Sequence, residues 1–390
     1  MKTMKMKLVI IGCLAGLACA VWADKPPDSV QGVAVGARAT GMGGAFTAIA
    51  NDATASFWNP AGLAELKTFE ATLVLSTVPT SETLVKVANN FSNPVSSTTS
   101  SPTGFDPMFA SVALPIKSLF PRSKAEGILS LSFTRGGYFD ETVRAVNLPE
   151  AVDPNDPPPL YPNVENYVEH RQIITDYYTL AYGAETKGIR WGIGGIYATQ
   201  KYEYARKGDI TIGGSGQVLV GALDTDPISD SNSGFGAIVG LQGLIKGKTR
   251  MGWGISYRSL IDVKADNGFS NEIPDRLSVG VFFALPKNWG LVSIDTHTYG
   301  SANSDLEDDR ANITDWCIGY EKNFATKKGY VIPLRLGVAT NKAANRFFVD
   351  QTIYTFGTGL RVRNYEFELA TWMGTKAKTA SFMFSATYRP

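Results

Sequence analysis

The chain has 390 residues, of which 44% are hydrophobic and 19% charged, with a net charge of +1. That balance offers neither the basic excess of a nucleic-acid binder nor an acidic tail. Thirty-nine glycines, 20 Phe and 16 Tyr are unusual for a helical enzyme and ordinary for an all-β membrane protein, whose turns need glycine and whose interfaces need aromatics.

The N-terminus reads as a processing segment. Lys2, Lys5 and Lys7 form a positive region, Leu8 to Ala20 an apolar core, and Val21-Trp22-Ala23 a small-residue cleavage site. Residues 1–23 are therefore expected to be a signal peptide for Sec-type export; the apolar core is too short to span a bilayer. Gly16-Leu17-Ala18-Cys19 matches a lipidation signal poorly, which leaves lipid attachment as the lesser alternative. Cys13 and Cys19 would leave with the signal, so Cys317 stands alone and no disulfide framework is expected.

The stretch Gly36–Leu63, GARATGMGGAFTAIANDATASFWNPAGL, differs from everything after it. It is almost free of charge and rich in Gly and Ala. Gly41, Gly43 and Gly44 suggest a bent segment in a tight space. Ala45–Ala50 could form a helical turn or two, and Asn59-Pro60-Ala61-Gly62 is a turn. Residues 24–66 are expected to plug a barrel formed by residues 67–390.

From Phe69 onward the pattern has period two. Met251, Trp253, Ile255, Tyr257, Ile261 and Val263 form one apolar series, and Ile332, Leu334, Leu336 and Val338 another. Phe382, Phe384, Ala386 and Tyr388 share a face of the last strand, where Arg389-Pro390 stands in place of a final aromatic. Such alternation fits a soluble sandwich or a membrane barrel equally. Loop lengths separate the two. With strands near 69–80, 105–115, 125–136, 170–184, 188–204, 233–246, 249–264, 275–285, 288–299, 312–324, 329–341, 351–363, 365–374 and 379–389, the gaps alternate long and short. The long ones fall at 81–104, 137–169, 205–232, 265–274, 300–311 and 342–350; only 375–378 breaks the rule. Tight turns on one rim and long loops on the other characterise outer-membrane barrels. The fold class expected is thus all-β, a transmembrane antiparallel up-and-down barrel of about fourteen strands. No 18-residue apolar run follows the signal, so only a closed barrel could cross a membrane.

Chemistry is sparse. Two histidines, His170 and His297, lie far apart, with neither zinc-like spacing nor a G-x-S-x-G elbow. His297 beside Asp295 reads as a lumen or rim residue. Gly41-Met42-Gly43-Gly44 lacks the strand and Lys-Ser/Thr of a phosphate loop. Two acidic loops, Asp224/Asp226/Asp230 and Asp305/Glu307/Asp308/Asp309, lack EF-hand spacing and read as solvated, so no metal or cofactor is expected. The Pro-rich 153–162 reads as a stiff extracellular excursion. Arg258, Asp262, Arg335, Glu366 and Glu368 on the polar faces suggest a network in a wet lumen.

At Gly36–Leu63 the sequence resembles the N-terminal hatch of the FadL/TodX-type family of outer-membrane transporters of hydrophobic compounds, a motif shared with PorV-type secretion proteins. Ile273–Thr298, Trp316–Phe324, Ile332–Ala343 and Phe356–Gly374 continue the resemblance. It implies a fourteen-stranded barrel occluded by the hatch, no enzymatic activity, and passage of a hydrophobic solute such as a long-chain fatty acid, released past the hatch and sideways through an opening in the wall. Carried over by position, Asn59, Pro60 and Ala61 would meet the wall, and Gly41, Gly43 and Gly44 would sit in the packed plug. The partners implied are a hydrophobic solute and outer-membrane lipid with lipopolysaccharide; the PorV-type alternative implies a secretion-system protein instead.

Overall fold

In a computed structural model the chain forms one closed antiparallel wall. The structure describes residues 35–77, 81–83, 95–99, 105–145, 148–149, 161–214, 217–222, 228–245, 247, 250–264, 270–303, 311–342, 350–375 and 380–390. The signal segment, both acidic clusters apart from the backbone of Asp230, and most of the Pro-rich stretch lie outside these.

Fourteen wall strands follow one another. They are β1 (Glu70–Thr77), β2 (Phe105–Pro115), β3 (Ile128–Ala145), β4 (Tyr161–Thr186), β5 (Ile189–Gly214) and β6 (Ile228–Ile245). Strand β7 has two parts, Met251–Arg258 and Ile261–Lys264, and β8 likewise, Ser270–Ile273 and Arg276–Leu285. Then come β9 (Gly290–Tyr299), β10 (Ile313–Ala325), β11 (Val331–Asn341), β12 (Gln351–Val362), β13 (Tyr365–Gly374) and β14 (Ala380–Tyr388). Each pairs with its neighbour, and β1 pairs with β14 from Ala71↔Tyr388 to Ser76↔Met383. Closure gives every wall strand a paired neighbour on each side, the condition for putting strands into hydrocarbon.

The alternation read from the sequence is the inside–outside code of this wall. Leu131, Leu180, Ile193, Val239, Ile255, Val279, Ile318, Leu336 and Val338 point outward and are exposed. The residues between them, such as Ser130, Ser132, Thr179, Ser256, Ser278 and Arg335, are buried in the lumen. An apolar exterior over a polar interior is the arrangement of a membrane barrel, the inverse of a soluble one. Exposed Trp191, Trp289, Tyr330, Tyr365 and Tyr388 gather at the short-turn rim, where amphipathic rings suit the lipid–water boundary. That rim is made by turns such as Lys187-Gly188, with φ of +52° and +82°, the primed geometry that matches strand twist.

Four expectations are corrected. The segments 137–169 and 205–232 were expected as loops, but β3, β4, β5 and β6 run on into them as paired strands, so the wall stands taller on its long-loop side. Ile261 and Val263 do not share the outward face of Met251–Tyr257. Strand β7 breaks at Ser259-Leu260, so Ile261 and Val263 turn into the lumen with no exposure. The same break sends Asp262 away from the lumen network, where it meets Lys264 at 2.8 Å. Ala45–Ala50 is not helical; the helices of the inner segment are α1 (Ala37–Gly41) and α2 (Ala55–Trp58), followed by a 3-10 helix at Pro60–Glu65.

Replacing Ile318, whose neighbours across the wall are Ile294 and Val338, by Arg would put a charge into lipid. Urea titration of the protein folded in bilayers is expected to show a loss of about 2–4 kcal/mol; an unchanged midpoint would mean that this face does not meet hydrocarbon.

Candidate functional site

Residues 35–66 lie inside the barrel, against inward-facing residues on both sides of the wall. Helix α1 packs on β11, β12, β13 and β14, while α2 and the 3-10 helix pack on β3, β4, β5 and β6. Phe46, Met42, Trp58 and Leu63 are buried in one cluster with the wall residues Val74, Phe109, Phe282, Ala370 and Met383.

An irregular backbone inside a barrel still needs hydrogen-bond partners, and here the wall's side chains provide them. Ala37 N–H donates to Ser385 Oγ at 2.7 Å, and Thr355 Oγ1 donates to the Gly41 carbonyl at 3.1 Å. Thr47 N–H donates to Asp295 Oδ2 at 2.6 Å. Gln242 Nε2 donates to the carbonyls of Thr47 and Ala50 at 3.0 and 3.1 Å. Ala53 N–H donates to Glu70 Oε1 at 2.6 Å. His297 Nε2 lies 3.1 Å from the Gly44 carbonyl and Nδ1 2.8 Å from Ser278 Oγ. A carbonyl only accepts, so Nε2 carries the proton and Nδ1 receives the Ser278 hydroxyl. His297 and Asp295 are thus both lumenal, each holding a different backbone group. These bonds explain the missing helix at 45–50, since they occupy groups that a helical ladder would use.

The six residues singled out by sequence all lie at this contact. Gly41 approaches β12 so closely that a Cβ on it would come within 3.0 Å of Gly357 Cα. Gly43 has φ of +66°, and its Cβ would fall 2.9 Å from Val338 N. Gly44 supplies the carbonyl that His297 holds. Asn59, fully buried, donates Nδ2 to Thr47 O at 3.0 Å and to Leu241 O on β6 at 3.1 Å, while its Oδ1 caps Ala61 N–H at 3.2 Å. Pro60 begins the 3-10 helix, where a missing N–H costs nothing. It lies on β5, where any side chain at Gly192 would overlap it. The wall's own glycines, among them Gly192, Gly240, Gly337 and Gly357, were not singled out by sequence. Their signal was available as Gly at inward positions of otherwise β-prone strands.

Charge completes the seat. Arg38 on α1 and Arg335 on β11 share Glu321 on β10, at 2.9 and 2.7 Å, and Arg335 reaches Glu368 on β13 at 2.7 Å. Arg389 joins Glu70 and Glu366, the latter at 2.7 Å, a role an aromatic at that position could not fill. Arg190 on β5 pairs with Glu65 of the 3-10 helix. Arg38 Nη1 also donates to Asn51 Oδ1 at 2.5 Å. Arg335, Glu366 and Glu368 of the expected lumen network are brought together; Arg258 lies elsewhere in the lumen.

Among the described residues, the pairing of the wall is interrupted beside this seat. Among those residues, the β2–β3 register runs from Pro115↔Ile128 to Phe109↔Thr134 and no further, and the separate strand Val95–Thr99 pairs with Thr142–Ala145 of β3. Pro107 on β2 has no N–H to give, and the β1–β2 register slips between Val74 and Leu75 opposite it. On β3, Gly136 is an extra, bulged residue between Arg135↔Asp176 and Gly137↔Thr175.

No protein-family model matches the sequence, and no curated protein matches it. Solved structures do match. The toluene transporter TodX of P. putida aligns over 92% of this chain and 99% of its own, with 11% identity and a TM-score of 0.62. The toluene transporter TbuX of Ralstonia pickettii aligns over 92% and 98%, with 13% identity and a TM-score of 0.58. The chain has the TodX/FadL fold. A FadL homologue from Pseudomonas aeruginosa, at 12% identity, covers 95% of this chain and all of its own with a TM-score of 0.53. At such low identity the TodX/FadL likeness extends to the course of the backbone and not to side chains.

Arg335→Ala would leave Glu321 and Glu368 buried with one cation fewer between them. Thermal unfolding in detergent is expected to lose about 3–5 kcal/mol, and a double substitution Arg335→Ala, Glu368→Gln should recover part of it. Equal stability of the wild type and the single variant would remove the network from the account.

Proposed function

We propose that the protein is a passive outer-membrane channel for hydrophobic small molecules such as long-chain fatty acids, with residues 24–66 acting as its hatch. The observation that carries this reading is the combination of a seated inner segment with a wall that is unpaired beside it, between β2 and β3. Lipopolysaccharide excludes apolar solutes. Capture at the long-loop side would give a long chain about 0.8 kcal/mol for each buried CH₂. The solute would then leave sideways at Pro107 and Gly136, into lipid, without crossing a polar lumen. Gly41, Gly43, Gly44, Asn59, Pro60 and Ala61 would form the surface along which the hatch shifts. Two of the similar structures are described as toluene transporters and a third as a FadL homologue, which supports a hydrophobic cargo and a non-enzymatic role. Residues 1–23 would direct Sec-type export.

Deleting Gly136 would bring the registers on either side of the bulge into line. Cells lacking the native gene and expressing this variant are expected to take up labelled long-chain fatty acid several-fold more slowly than cells with the wild type, at equal levels of folded barrel. Undiminished uptake would contradict lateral exit. Unchanged uptake on loss of the gene, together with a stoichiometric protein partner in detergent extracts, would contradict the channel itself.

A further inference from the structure

Six turns join wall strands at the short-turn rim, and one is unlike the rest. The β2–β3 connection takes residues 116–127, whereas the other five take two to five residues each. It opens with a single helical turn, α3 (Ile116–Leu119), and passes through Phe120-Pro121. Ile116 N–H donates to the Gly127 carbonyl at 2.9 Å across its base, and Ser123 N–H to the Phe120 carbonyl at 2.9 Å within it. Antiparallel neighbours can be joined by far fewer residues, so closing the hairpin does not account for this length.

The side chains of this turn are apolar and cationic at once. Leu119 and Phe120 are 49% and 59% exposed, and with Pro121, Arg122 and Ser123 they line an open recess. Lys117 is neutralised by Glu126 at 2.6 Å. Arg122 and Lys124 are exposed and form no ion pair among the described residues. The turn is also held toward the lipid side of the wall. Tyr182 on β4 belongs to the outward series of Tyr178 and Leu180. Its hydroxyl donates to the Glu126 carbonyl at 2.5 Å, and its ring lies 5.6 Å from that of exposed Trp191. A Cβ on Gly127 would fall 2.7 Å from the same hydroxyl oxygen. Tyr and Trp rings so placed mark the lipid–water boundary, so two bare apolar side chains and two unpaired cations stand at the height of the headgroups.

We propose that residues 116–127 are an interfacial anchor: Leu119 and Phe120 dip among the acyl chains of the leaflet at the short-turn rim, while Arg122 and Lys124 bind the phosphate of an anionic phospholipid. This rests on the wall's lying in a bilayer and not on what passes through it. Binding of this kind adds buried apolar area to attraction for anionic lipid, and a guanidinium fork matches a phosphate in two bonds. An acidic soluble protein would satisfy the cations, but it gives no reason for Tyr182 to tie the turn beside the interfacial Trp191. The anchor would fix the base of the β2–β3 hairpin, which is paired from Pro115↔Ile128 up to Phe109↔Thr134.

The test uses the full-length protein in nanodiscs of equal parts phosphatidylglycerol and phosphatidylcholine, with the lipids that stay bound on release from the disc counted by native mass spectrometry. Phosphatidylglycerol is expected to be enriched at least about fivefold on the wild type. The double variant Arg122→Gln, Lys124→Gln should lose most of that enrichment. Lys327→Gln, Lys328→Gln takes the same charge from the exposed β10–β11 turn of the same rim and should leave the enrichment nearly unchanged. In discs of lipid brominated along the acyl chains, the emission added by Phe120→Trp should be quenched by bromine and not by iodide in the water. All variants are compared as folded barrels, judged by their heat-dependent shift on gels. Equal retention of the two lipids by the wild type, or equal losses in the two double variants, would overturn the phospholipid site. Quenching of the Phe120→Trp emission by iodide alone would put the turn in water, as a soluble partner requires, and would overturn the anchor. Each of these failures would leave the channel reading in place, because that reading stands on uptake.

Discussion

Hydrocarbon offers nothing to an unpaired peptide group, and every other feature of this molecule follows from that constraint. The wall must close, and the β1–β14 ladder closes it. A ring of fourteen strands encloses more space than its own side chains fill. The remaining room is taken by residues 35–66, whose backbone is not regular and so needs partners of its own. Ser385, Thr355, Asp295, His297, Gln242 and Glu70 supply them from five strands distributed around the barrel. The inner segment is thus held group by group, mostly through single hydrogen bonds worth about 0.5–1.5 kcal/mol each. Such a seat is stable in sum and divisible in parts, which would suit the shift proposed for the segment.

The same economy governs charge. Glu321 serves Arg38 of the inner segment and Arg335 of the wall at once, so the segment is tied to a pair that would exist without it. Releasing Arg38 leaves Glu321 still neutralised by Arg335, which keeps the cost of displacement below that of breaking an isolated buried ion pair. The ties through Arg190–Glu65 and Glu70–Ala53 lie on the other half of the segment, and the two halves can loosen separately.

Much of the architecture was legible in the chain because it follows from period. Leu336 and Val338 against Arg335 and Gly337 already state which way β11 faces, and the alternation of loop lengths states that the ribbon closes in a membrane. What the period could not disclose were its interruptions. Ser259-Leu260 costs β7 one step and turns Ile261 and Val263 inward, although every residue there is acceptable on either side of a strand. The upper parts of β3 to β6 looked like loops because their outer stretches are polar, and strands that stand clear of the bilayer have no reason to be otherwise. The glycine-rich stretch revealed its own crowding but not its partners. Gly192, Gly240, Gly337 and Gly357 are complementary to it only in three dimensions, and hydrogen bonds such as Gln242 to Thr47 join residues far apart in the chain.

The claim on which the account depends is that the inward faces of the wall are covered by the chain's own beginning. Spin labels placed singly at Leu336, Val338, Ala339 and Ala53, in protein reconstituted into bilayers, test it directly. Labels at Leu336 and Val338 should relax with lipid-dissolved oxygen, while labels at Ala339 and Ala53 should be reached neither by oxygen nor by a water-soluble nickel chelate. Free access of the chelate to Ala339 and Ala53 would mean an open lumen and would contradict the account.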